Sequence, residues 1–124
     1  MKAVAFKILR ILLGLFIASI GLNKFLVFTE IPNPPGDGGT LMQIYISSGF
    51  LRLVGVLEVL AGLALVANRF VPLGLTFITA IMFNAVLFHA LHDPVGIAPA
   101  ALSLFSSLVM VYVYRERFST FLRA

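Results

Sequence analysis

Four apolar stretches, each close to twenty residues long, fill most of this 124-residue chain, and they limit what it can fold into. Crossing about 30 Å of hydrocarbon takes roughly 20 helical residues. In that solvent every backbone N–H and C=O must be bonded within the chain, so such a segment spans as a helix. The sequence predicts helices over 4–28, 49–67, 71–91 and 95–114, with one long outer connection over 29–48. At 60% apolar content and a mean hydropathy of +1.07, too little polar sequence remains to cover a soluble domain of this size.

The connections set the topology. Asn68-Arg69-Phe70 ends the second helix, and Pro72 suits the first turn of the third, where its missing N–H costs nothing. Asp93-Pro94 reads as the N-cap and first-turn pair of the fourth. Short links make neighbours antiparallel, so the expected fold is an all-α transmembrane bundle, up-down-up-down. The 29–48 connection opens with Pro32, Pro34, Pro35 and the Gly36 to Gly39 cluster, where no regular structure is expected. Its second half, Leu41 to Ile46, is apolar enough to lie in the membrane interface as a short helix or lid.

Lys2, Lys7, Arg10, Arg69, Arg115, Arg117 and Arg123 fall at one end of this bundle, whereas Glu30, Asp37 and Asp93 occupy loops at the other. The excess of cations predicts that both termini face the cytoplasm. It also accounts for the net charge of +4 without nucleic acid, because the basic residues form no dense run. Lys2, Lys7 and Arg10 ahead of an apolar run resemble a secretory signal. That run continues to Phe28, and Ala18-Ser19-Ile20 lacks the second small residue a cleavage site needs, so the first helix is expected to stay. With no cysteine, the chain offers no disulfide, thiolate or iron–sulfur ligand. No glycine-rich phosphate loop, serine triad or paired-carboxylate constellation is present.

The informative residues are those that hydrocarbon rejects: Lys24, Arg52, Glu58, Asn84 and His89, with His92 nearby. At about 1.5 Å rise per residue, Glu58 lies near the middle of its helix and the others further toward the outer face. The inner half is expected to hold no comparable set, which points to a pocket open outward and counts against a channel. Gly55 and Gly62 lie on the face of Glu58, so the carboxylate should point into the bundle, with Lys24, Arg52 or Asn84 as its partner. Its alternatives are a proton-handling acid or a structural bond that fixes helix register. Lys24 and Arg52 read either as anchors for a ligand oxygen or as side chains snorkelling to headgroups. Asn84 reads as a ligand group or a helix-to-helix hydrogen bond. His89 and His92, without a third ligand at suitable spacing, make a poor metal or haem site, and His89 is better read as a proton relay at the pocket mouth. Gly14 and Gly21 repeat the seven-residue spacing of Gly55 and Gly62, a faint internal echo.

Gly21-Leu22-Asn23-Lys24-Phe25, the proline-rich loop, Ser48-Gly49, and Gly55 with Glu58 and Gly62 together resemble the DoxX family of small four-helix membrane proteins. Asn68 to Leu73, Asn84 to His89 and Asp93-Pro94 complete the resemblance, which spans nearly the whole chain. It implies redox-linked work at a bacterial cytoplasmic membrane. Relatives are described as the membrane subunit of a thiosulfate:quinone oxidoreductase, or as the integral partner of detoxifying complexes. A similar fold attributed to assembly chaperones means that membership alone does not make an enzyme.

Two functions follow as expectations. In the first, a quinone enters an outer-facing pocket, where Lys24 and Arg52 polarise its oxygens, Glu58 or His89 exchanges protons, and Asn84 orients the head group. Electrons then come from a partner subunit, because the chain supplies no redox centre. In the second, the polar residues lock the bundle, and the chain is an accessory or assembly subunit of another membrane protein.

Overall fold

The computed structural model describes residues 1–31 and 33–122, apart from the side chains of 121 and 122. Pro32 and Arg123, both used above, lie outside the described residues. Six α-helices follow in order: α1 (Lys2–Leu26), α2 (Asp37–Ser47), α3 (Phe50–Ala67), α4 (Val71–His92), α5 (Ile97–Val113) and α6 (Arg115–Leu122). A single 3₁₀ turn, Pro94–Gly96, precedes α5. Four stretches are long and apolar enough to cross a membrane: α1, α3, α4 and Pro94–Val113. The bundle is all-helical among the described residues, and tight links make α3, α4 and α5 antiparallel neighbours.

α1 and α3 share the most extensive interface, and small residues are the reason. A Cβ added to Gly14 would stand 2.6 Å from the Gly62 carbonyl oxygen, and one on Gly21 would stand 2.7 Å from that of Gly55. The backbones thus touch at two levels, seven residues apart on each helix. Without a hydrophobic drive inside lipid, close packing of this kind is what holds helices together. The glycine echo in the sequence is therefore the two halves of one interface.

Leu13, Ile17, Leu65, Leu75, Ile78 and Met110 form the buried core between α1, α3, α4 and α5. Across the α4–α5 seam, Thr79 donates to Ser107 Oγ at 3.2 Å, and Ser107 is fully buried.

The local structure departs from the sequence expectation at the glycine cluster and adds detail at Asp93 and beyond Tyr114. The glycine cluster does carry regular structure, since α2 begins at Asp37 rather than at Leu41. Gly36, at φ 71°, supplies a left-handed entry that other residues rarely adopt, and its carbonyl accepts the Thr40 N–H at 3.1 Å. Gly38 then lets α2 sit directly on His92. Asp93 does not cap a fourth helix through its side chain. It ends α4 instead, and Pro94 opens the 3₁₀ turn before α5 starts at Ile97. Finally, the chain remains helical beyond 114 as α6, whose charged sequence leaves the apolar span.

Candidate functional site

Lys24 and Glu58 meet inside the bundle. The Lys24 Nζ lies 2.6 Å from Glu58 Oε2, and the side chains are 15% and 2% exposed. The glycine pairs set the register that brings Arg52 level with Lys24 and Glu58 level with Ala18, so Glu58 is about 9 Å deeper than Lys24. Helical side chains lean toward the N-terminus of their own helix. Because α1 and α3 are antiparallel, Lys24 leans inward and Glu58 leans outward, which closes the gap. Nζ also donates to the Ile20 carbonyl one turn back, at 3.4 Å. Of the three partners open to Glu58 on sequence grounds, the structure selects Lys24.

Asn23, beside it, fixes the end of α1. Its amide donates to the Thr29 carbonyl at 3.1 Å and accepts the Thr29 N–H at 2.9 Å, clamping the chain as it turns away. The Asn-Lys pair thus divides its work, with one residue holding the loop and the other holding α3.

The five candidate residues are not gathered into one pocket. Arg52 is exposed on α3. Asn84 is exposed on α4, and its amide donates to the Ala80 carbonyl of its own helix at 2.9 Å rather than to another helix or into the bundle. His89 engages its own loop: Nδ1 lies 3.2 Å from the Asp93 carbonyl oxygen and 3.3 Å from its carboxylate. A Cβ on Gly96 would come within 2.8 Å of both side chains, so glycine there lets the turn close over the imidazole. His92 packs under Gly38 and beside the Phe88 ring. Among the described residues, no group of three histidine, aspartate or glutamate side chains converges.

The sequence reading missed Arg10. The inner half was expected to lack a buried polar group, yet this side chain is only 6% exposed. Its Nε donates to the Leu65 carbonyl at 2.8 Å and its Nη1 to the Tyr114 hydroxyl at 3.0 Å. The guanidinium therefore caps the C-terminus of α3, where unpaired carbonyls and the helix dipole favour a cation. Counted by charge alone, Arg10 looks like one more residue of the positive end. The signal in the sequence was its position well inside α1, about 12 Å from the helix start. Between Arg10 and Glu58 the α1–α3 seam is apolar, with Leu13, Ile17 and Leu65 buried, while the buried hydroxyls of Ser103 and Ser107 lie on α5.

A bundle of four membrane-length helices, joined at glycine-to-glycine contacts and bolted by the Lys24–Glu58 ion pair, defines an integral membrane protein. The chain belongs to the DoxX family, whose profile matches residues 5–91, from the first turn of α1 to the last of α4. The match takes in Lys24, Glu58 and His89 and stops short of α5 and α6. No curated protein and no solved structure matches the chain.

Proposed function

We propose that this DoxX-family protein is the integral membrane subunit of a larger, redox-linked complex, and that it acts by holding a partner membrane protein against α3 and α4. The observation that carries this reading is the outward placement of Asn84 near the middle of a membrane-spanning helix. A polar side chain at that depth is costly against lipid and ordinarily faces protein or water. Arg52 adds a second polar group on the exposed surface of α3. The Lys24–Glu58 pair fits a structural part in this scheme, since each charge already has its counter-charge.

Site-specific photo-crosslinking from position 84 in the native membrane tests the proposal. A membrane-protein adduct is expected, together with a partner that co-purifies with the native chain and is lost in Asn84→Leu at unchanged thermal stability. An adduct with lipid only, or co-purification indifferent to Asn84→Leu, would overturn it.

A second reading has its own support. Lys24 keeps 15% of its side chain exposed, so one edge of the buried pair can be approached from outside. In that scheme a quinone oxygen takes a hydrogen bond from Lys24 while Glu58 handles the proton. Quinone retained by the native chain through gentle extraction and lost in the Lys24→Met/Glu58→Met double variant, where no lone buried charge remains, is its expected signature. Extraction without quinone would leave the accessory reading standing alone.

A further inference from the structure

Among the described residues the Arg10 guanidinium is buried without a carboxylate partner. Neither of the two ion pairs among the described residues includes it. Its bonds to the Leu65 carbonyl and the Tyr114 hydroxyl are to neutral groups. The α3 dipole offsets only about half an elementary charge. A buried charge this poorly compensated is expensive unless something else neutralises it.

What lies beside it is an open cleft of about 570 Å³, lined by Phe6, Lys7, Arg10, Asn68 and Tyr114 among others. It sits where the inner ends of α1, α3 and α5 meet. Lys7 brings a second cation to the cleft. A third stands close, since Arg117 stacks on the Tyr114 ring, with its guanidinium carbon 4.8 Å from the ring centre. Tyr114 is thus held between two arginines, one at its hydroxyl and one on its face. The bonds from Nε and Nη1 leave further N–H donors on the Arg10 guanidinium, whose fork geometry suits a phosphate oxyanion.

We propose that this cleft binds the phosphate of an anionic phospholipid headgroup, with Arg10 as its buried anchor and Lys7 as its outer cation. Phe6 and the apolar face of α1 continue from the cleft into the membrane, which suits the acyl chains of such a lipid better than a free anion. Basic pockets between membrane helices bind acidic headgroups by this chemistry. The site lies at the opposite end of the bundle from Lys24, with Glu58 and Asn84 nearer the middle, and is independent of the function proposed above.

The full chain is reconstituted in phosphatidylcholine nanodiscs containing a minority of phosphatidylglycerol, and native mass spectrometry reads the lipid it retains on release. Phosphatidylglycerol is expected to be retained in preference to phosphatidylcholine, and Lys7→Gln is expected to lower that retention roughly fivefold. Arg10→Gln should lower it further, but it also removes the cap on α3. Lys7 is exposed, so Lys7→Gln carries the test without that complication. Arg115→Gln, whose side chain stacks on Tyr112 instead, should retain phosphatidylglycerol normally. Thermal protection of the detergent-solubilised chain by inorganic phosphate, with no lipid preference, would support the oxyanion site and name a free anion as its occupant. Equal retention of both lipids without phosphate protection, or unchanged phosphatidylglycerol retention in Lys7→Gln and Arg10→Gln, would overturn the proposal.

Discussion

Lys24 and Glu58 reach each other only because α1 and α3 run in opposite directions, so that each side chain, leaning toward its own N-terminus, leans toward the other. Removing one member of a buried pair leaves the other uncompensated, which commonly costs about 3–5 kcal/mol. Lys24→Met should therefore be strongly destabilising, because it strands a carboxylate that is 2% exposed. Lys24→Met/Glu58→Met should recover much of the loss. Thermal unfolding in detergent, followed by circular dichroism, reads both. If the double variant is as unstable as the sum of the single variants, the two side chains do not act as a pair.

The glycine contacts make a separate prediction about size. A Cβ on Gly62 would meet the Gly14 carbonyl oxygen at 2.5 Å and the Ala18 nitrogen at 2.7 Å, both of them backbone atoms that cannot swing aside. Gly62→Val should cost about 2 kcal/mol or more by overpacking. Leu60→Ala, on the 61%-exposed outer face of the same helix, should be close to neutral. Similar melting temperatures for the two variants would mean that the α1–α3 interface tolerates separation.

α2 rests on α4 where Gly38 meets His92, with Met42 buried beneath it and Tyr45 stacked on Phe50 of α3. Gly38→Leu should lift the helix without disturbing the bundle. The expected result is faster hydrogen exchange over Asp37–Ser47, with exchange in α1, α3, α4 and α5 unchanged. Uniformly faster exchange across all five helices would instead make α2 part of the cooperative core.

Ser107 separates a hydrogen-bond effect from a packing effect at one position. Ser107→Ala loses the bond from Thr79, and such bonds in membrane bundles are worth about 0.6 kcal/mol on average. Ser107→Leu places a large side chain where exposure is 0%, and it should destabilise by at least about 1 kcal/mol. A larger loss for alanine than for leucine would mean that the hydrogen bond, rather than packing, holds this seam.

Sequence alone determined the class of fold, because hydrocarbon leaves the backbone so few choices. The four spans, their antiparallel order and the inward direction of Glu58 all follow from segment length, short links and flanking glycines. Only the tertiary structure decided which residues meet. Seven-residue glycine spacing on two helices fixes no register until Gly14 is set against Gly62, and that register is what brings Lys24 to Glu58. Arg52, six residues before Glu58 on the same helix, lies too far along and around it to pair. A helix's outward and inward faces look alike in a uniformly apolar sequence, so the exposure of Asn84 and the burial of Arg10 were both hidden. Arg10 in particular belongs to the inner end by sequence and to the interior by structure, because the carbonyl it caps and the hydroxyl it meets are 55 and 104 residues away.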